Sequence, residues 1–175
     1  MEAYPLYDYI QLTKGDANNT SAQQANAIYQ FNIPQGFYYS NQRSSVATVE
    51  VVSASVVTTA DTANFKALNL GMVQPTPTNA NTLSNSTAAP PILCCFEVLA
   101  TTAAIQSVYQ KENPQYQISA RPSQITIKFF QDSLGSNQAA IDTGMTDFVV
   151  LLKMTYYDPI KNISVLQSQF TPTLP

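Results

Sequence analysis

Several short stretches of this chain alternate between apolar and polar residues with a period of two, which is typical of β-strands that bury one face. One such stretch ends at Pro34, and its apolar positions are Ala27, Tyr29, Phe31 and Ile33. A second has its apolar positions at Ile125, Ile127 and Phe129. The longest apolar face precedes Asp158 and Pro159 and comprises Phe148, Val150, Leu152, Met154 and Tyr156. Each of the three stretches predicts a strand that packs one face on a common core.

Further strands are predicted where β-branched and aromatic residues cluster between turn residues, at 9–13, 46–59, 66–73 and 92–99. In the second of these, the apolar face changes between Val51 and Val52, which predicts a bulge or bend that passes the strand from one sheet to another. Residues 100–112 fit helical and strand spacing equally well, so both remain open.

The connections between these strands are uneven in length. Residues 14–26 and 132–144 are polar and rich in turn residues, and residues 74–91 contain four prolines among Asn, Ser and Thr. Eight to ten strands joined in this way predict an all-β, two-sheet antiparallel sandwich, a single jelly roll of about eight strands. We expect residues 1–175 to form one domain, with a long flexible loop at about 74–91 and an irregular C-terminal tail.

Charged residues make up only 11% of the 175 residues, against about 25% in a typical globular domain, and the net charge is -3. Asn, Gln, Ser and Thr supply most of the polarity instead. The eight Lys and Arg residues form no basic stripe, so no nucleic-acid partner is expected. A surface with so few charges is poorly protected against self-association. This composition favours a protein that packs against neighbours.

The chain contains no histidine, which removes the commonest general base and the commonest metal ligand. No serine lies in a Gly-x-Ser-x-Gly motif, and five glycines form no phosphate-binding loop. Nothing places Glu97, Asp142 and Asp147 together as a catalytic carboxylate pair. We therefore expect no catalytic residues, no cofactor and no metal site, and we predict that the protein is not an enzyme.

The adjacent Cys94 and Cys95 are the only cysteines, and a strand at 92–99 would point them to opposite sides of the sheet. The preferred interpretation is a pair of buried thiols in a reducing compartment, and the alternative is an intermolecular disulfide. No secretory signal is recognised at the N-terminus. No stretch approaches about 18 apolar residues, so no transmembrane segment is predicted.

Ten tyrosines are the main candidates for a function in binding. Tyrosine is enriched at protein interfaces and in binding surfaces. For Tyr29, Tyr109 and Tyr156 we favour packing inside the sandwich. Five of the other seven crowd the N-terminus, where no long strand is predicted, or form an adjacent pair. We predict that these five belong to an interface: Tyr4, Tyr7, Tyr9, Tyr38 and Tyr39.

Three segments carry a resemblance to a viral family. They read IQLTKGDANNTSAQQANAIYQFNIP, VATVEVVSASVVTT and ITIKFFQDSLGSNQAAIDTGMTDFVVLLKMTYYDP. They resemble single jelly-roll minor capsid and penton proteins of large double-stranded DNA viruses of algae and protists, and of their smaller relatives. In that family a short strand, a Gly- and Asp-rich loop and a strand ending in Ile-Pro recur. The likeness covers most of the chain except residues 60–91.

The resemblance implies a viral structural protein, either a penton or a minor capsid protein, that makes capsid contacts through a single jelly roll. It implies other capsid proteins as partners, including a major capsid protein, and a homo-oligomer for which a pentamer is one option. It places the protein in the virion, assembled in the host cell. The alternative is a receptor- or glycan-binding β-sandwich head domain of a virion spike or a cell-surface module, with the loop at 74–91 as its contact surface.

Overall fold

The computed structural model describes residues 5–20, 27–34, 46–58, 67–77, 90–97, 105–108, 114–131 and 145–156. A short 3₁₀ turn follows the first strand at Lys14–Asp16. The described residues contain no helix with the length and apolarity that a membrane crossing requires. Nine strands lie in these ranges: β1 (Leu6–Thr13), β2 (Ile28–Asn32), β3 (Val46–Thr58), β4 (Ala67–Gln74), β5 (Ile92–Glu97), β6 (Ile105–Val108), β7 (Tyr116–Ser119), β8 (Gln124–Gln131) and β9 (Met145–Tyr156).

The strands form two antiparallel sheets. Sheet A has the order β1-β9-β3-β6, with β7 also paired to β3, and sheet B has the order β2-β8-β4-β5. Strand β6 pairs with residues 54–57 of β3, whereas β7 pairs with residues 46–49. Because β6 and β7 occupy successive stretches along the same edge of β3, they share one strand position. Each sheet therefore has four strand positions.

The connectivity of these eight positions is that of a jelly roll. Most connections pass from one sheet to the other, β4 and β5 are sequential neighbours within sheet B, and the first strand pairs with the last. The prediction of an all-β, two-sheet jelly-roll sandwich is confirmed. The sequence of residues 100–112 fitted a helix and a strand equally well, and Ile105–Val108 form a strand.

The change of apolar face in β3 is a β-bulge. Val51 pairs with Leu152 and Ser53 with Leu151, so Val52 is an extra residue without an opposite position on β9. The bulge was expected, but the predicted passage to the other sheet is wrong, because β3 remains paired with β9 on both sides of Val52. The extra residue restores the alternation, so that apolar residues of both halves face the core: Ala47, Val49, Val51, Ala54 and Val56.

Aromatic side chains join the two sheets across the core. Phe148 of β9 extends from sheet A between aromatic residues of sheet B, and its ring centroid lies 4.7 Å from that of Tyr29 and 5.0 Å from that of Phe129. The rings meet edge-on or tilted, which aromatic pairs prefer to a flat sandwich. Phe31 and Phe96 extend the same cluster. The alternating apolar positions predicted at 27–33, 125–129 and 148–156 are all buried in this core, including Tyr29 and Tyr156.

Some sequence predictions concern residues outside the described ranges. These are most of the predicted loop (78–89), the connection at 132–144, the C-terminal tail and Tyr109. Of the predicted loop, residues 75–77 and 90–91 are described, and Gln74 and Pro75 are joined by a cis peptide bond.

Candidate interaction surface

The outer faces of the two sheets differ in exposure. On sheet B, the residues that point away from the core include Asn69, Thr126 and Phe130, and all three are buried. Pro90 lies against this face, since a Cβ atom added to Gly71 would lie 2.6 Å from Pro90 Cγ and 3.0 Å from Phe130 Cε1. This part of sheet B is therefore covered by other parts of the chain.

The outer face of sheet A is open by comparison. The large apolar side chains that are exposed among the described residues all belong to strands of sheet A, and they are Leu6, Tyr7, Tyr9, Val46 and Val149. Tyr9 is the most exposed of them, at 55%. Successive side chains of a strand point to opposite faces. The adjacent residues Asp8, Ala47 and Phe148 are buried on the inner face, so Tyr7, Tyr9, Val46 and Val149 point outward. Exposed apolar groups gathered on one face mark a candidate interaction surface.

A row of polar contacts crosses this face. Lys153 of β9 is opposite both Tyr9 of β1 and Glu50 of β3, and its Nζ atom lies 2.9 Å from Glu50 Oε1. Gln115, which precedes β7, donates its Nε2–H to Glu50 Oε2 at 2.5 Å. On the other side, Lys153 Nζ lies 4.5 Å from the centroid of the Tyr7 ring, a cation–π contact. We call Gln115, Glu50, Lys153 and Tyr7 the polar belt, and it connects β1, β9, β3 and the start of β7.

The ion pair of the belt, Glu50 with Lys153, favours its charged form. Partial burial acts to raise the pKa of Glu50, but hydrogen bonds from Lys153 and Gln115 and the charge of Lys153 outweigh it, so the pKa lies below its ordinary value. The hydrogen bond to Glu50 raises the pKa of Lys153, with a further contribution from the Glu50 charge. The side chains are 25% and 20% exposed, so water screens the pair only in part.

The tyrosines predicted for an interface are only partly described. Tyr7 and Tyr9 lie on the outer face of sheet A and are exposed, whereas Tyr4, Tyr38 and Tyr39 lie outside the described residues. The expectation that no long strand contains the N-terminal cluster is wrong for Tyr7 and Tyr9, because β1 has eight residues and begins at Leu6. Tyr7 and Tyr9 are therefore also outward-facing residues of a strand, where aromatic residues are common.

Sequence reasoning missed Glu50, Lys153 and Gln115. Glu50 and Lys153 are isolated charged residues of apolar strands, and Gln115 lies in a polar stretch of the sequence. Only the pairing of β3 with β9 brings the first two together. The pairing of Glu50 with Lys153 could have been found from the predicted fold, because the third and last strands of a jelly roll are neighbours. With that order assumed, the opposite charges in two adjacent strands become a candidate pair.

Two acidic residues of the described ranges, Asp16 and Asp147, serve local contacts. Thr13 Oγ1 donates to Asp16 Oδ2 at 2.6 Å, and the backbone N–H of Phe148 donates to Asp147 Oδ1 at 2.8 Å. Within the same ranges, no three His, Cys, Asp or Glu residues are grouped as metal ligands. Asp142 lies outside the described residues, as does the side chain of Glu97.

The two cysteines point to opposite sides of β5, as predicted. Cys94 is buried in the core at 1% exposure, Cys95 is half-buried, and neither forms a disulfide. Burial, with a smaller contribution from the neighbouring Cys95 thiol, raises the pKa of Cys94 to about 12. The Cys94 thiol is therefore a core side chain at neutral pH and not a nucleophile.

Fold and surface together define an all-β jelly-roll protein with one sheet face partly covered and the other open. Neither a scan against protein-family models nor a search of curated proteins gives a match for this chain. The function is therefore inferred from the jelly roll and from the chemistry of the open face.

Proposed function

We propose that this chain is a viral structural protein, a penton or minor capsid protein that makes capsid contacts through its single jelly roll. Jelly rolls are common in viral capsids, and they also occur in lectins and cupins. Cupin metal sites use histidine, which this chain lacks. The jelly roll alone fits capsid proteins and lectins equally, and the resemblance of the chain to the capsid family favours the first of these.

The observation that carries the proposal is the distribution of exposed side chains over this fold. Exposed apolar groups are gathered on the outer face of sheet A, and only 11% of the residues are charged. A freely diffusing protein benefits from a charged surface that opposes association. A capsid protein instead needs faces that remain in contact with neighbours, for which exposed Tyr and Val side chains are suited.

Quantitative mass spectrometry of particles purified from the virus that encodes the chain tests this function. We expect the protein at a fixed ratio to the most abundant capsid protein, unchanged by washes in high salt and mild detergent. An abundant soluble protein from the same infected cells is the control, and the washes should deplete it. Absence of the chain from washed particles would refute the proposal.

The alternative of a glycan-binding head has one observation in its favour. The exposed Tyr7 and Tyr9 lie beside the amide of Gln115, the carboxylate of Glu50 and the ammonium group of Lys153, which hold one another in place. A small number of oriented polar groups next to an aromatic surface is typical of ligand sites. Glycan-array binding that is saturable and lost in Tyr9→Ser would support it. Binding at background level for wild type would exclude the glycans tested.

A further inference from the structure

We infer that the outer face of sheet A binds the same face of a second copy of this chain, around a two-fold axis. The inference rests on the proposed assembly role for its biological meaning, but it concerns the isolated protein and is tested on it.

The face is large enough for a stable contact. The registered strands run from the row of Leu6 and Tyr156 to the row of Thr13 and Val149, which is eight residues. Four strand positions about 4.8 Å apart and eight residues of about 3.4 Å give a projected area of roughly 500 Å². The accessible area of a face with protruding side chains exceeds its projection, and a standard interface buries about 800 Å² on each partner.

The face carries almost no net charge. Among the described residues, its charged groups are Glu50, Lys153 and Asp147. At the same end as Asp147, the 3₁₀ turn adds Asp16 and Lys14, whose Nζ donates to Thr146 O. Two positive and three negative groups leave a net charge of -1, so a second copy of this face meets little net repulsion, as an isologous contact requires.

The positions of the charges select the direction of the axis. A two-fold axis across the strands, at the level of the belt, would place Lys153 over Lys153 of the partner. An axis along the strands, between β9 and β3, instead places Lys153 over Glu50 of the partner and Glu50 over its Lys153. This second arrangement is favoured, because close like charges are costly and close opposite charges are attractive.

The same axis gives the exposed aromatic residues a partner surface. It exchanges the two edges of sheet A, so β1 of one copy lies over β7 of the other. Tyr7 and Tyr9 then pack on the strip that holds Gln115 and Gln117. The cation–π contact already orients the Tyr7 ring, which lowers the entropy lost when it enters an interface. Tyr is a common anchor in such contacts.

Sedimentation velocity and mass photometry of the purified full chain, over a wide concentration range, test the contact. We expect wild type to form a dimer and Tyr9→Lys to weaken it by about tenfold or more, as loss of an aromatic anchor does. Val149→Lys, at a 40% exposed position, is a second variant if the first fails to fold. The matched control is Asn32→Lys, an exposed residue of β2 in sheet B, which should leave the dimer unchanged.

A charge exchange tests whether Lys153 and Glu50 take part in the contact. Lys153→Glu and Glu50→Lys should each weaken the dimer, and the double variant should restore it, because both pairs are rebuilt with reversed sign. A wild type that is monomeric throughout would overturn the inference. So would equal weakening by Asn32→Lys, or a double variant no better than the singles. None of these outcomes affects the detection of the chain in particles, so the two proposals fail separately.

Discussion

At the residue scale, the two adjacent thiols differ because neighbouring residues of a strand point to opposite faces. Cys94 is inside the core with its pKa raised by burial to about 12, and Cys95 is half-buried on the other face. We expect a thiol reagent at about pH 8 to modify Cys95 in the native protein and to modify Cys94 only after unfolding. Peptide mass spectrometry locates the label, with a sample in denaturant as the control. Equal labelling of both thiols in the native state would contradict this.

A second residue-scale prediction concerns the ion pair in the polar belt. Since the pKa of Glu50 is lower in the folded chain, its contribution to stability is present above the unfolded pKa and is lost as the pH falls through the folded pKa. We expect Glu50→Gln to lower the free energy of unfolding at neutral pH by about 1 kcal/mol or less, because the pair is partly exposed. The difference between variant and wild type should vanish in acid.

Urea unfolding at a series of pH values measures this difference. Lys153→Gln is the matched variant, and its difference from wild type should decrease over the same acidic range to the part that the cation–π contact with Tyr7 supplies, since a protonated Glu50 no longer attracts Lys153. In alkali the pair is lost again, because the pKa of Lys153 is raised, so its contribution is fully present below the unfolded pKa and is lost as the pH rises through the folded pKa. A constant difference from acid to neutral pH would show that the pair has no effect on stability.

At the element scale, the bulge in β3 leads to a prediction about chain length. Without Val52, the residues of β3 alternate regularly between core and surface. We therefore expect deletion of Val52 to leave a folded protein that has lost about 1–2 kcal/mol of stability, a typical cost of a tolerated change. Thermal unfolding followed by circular dichroism measures it.

The matched control is deletion of Val150 in β9, where the pairing with β1 has no bulge. That deletion moves every residue on one side of the gap to the opposite face, which turns core side chains toward water. It should abolish cooperative unfolding. Equal damage from the two deletions would show that Val52 has a role beyond the bulge.

The elements also show how far sequence reasoning reaches. Strands such as β2 and β9 were predictable because one face is apolar at every second residue, a property of the strand alone. The position of the bulge at Val51–Val52 was predictable for the same reason. The pairing of β3 on either side of the bulge was not predictable, because periodicity shows which face of a strand is buried and not which strand lies alongside. The polar belt was likewise hidden, since it depends on the register of β3 against β9.

At the scale of the whole molecule, the sheets predict a pattern of backbone protection. Strands β9 and β3 are paired on both sides in sheet A, as β8 and β4 are in sheet B. Among the described residues, β1 has one strand neighbour only. Hydrogen exchange measured by mass spectrometry should therefore be slowest in β9 and β8 and faster in β1. The same order should persist at concentrations that favour the dimer, because a face-to-face contact leaves strand edges open. Equal protection of β1 and β9 would indicate a partner strand on that edge.

The pairing of the first strand with the last has a consequence for biosynthesis. Lys14, directly after β1, donates to the carbonyl of Thr146 in β9, a residue 132 positions further along the chain. At about 5–20 residues per second, the ribosome needs on the order of ten seconds to make the intervening chain. During that time β1 has emerged with the apolar Ile10 and Leu12 but lacks its only described neighbour in sheet A. A nascent chain stalled before β9 should therefore be bound by chaperones that recognise apolar segments, and completion of β9 should release it.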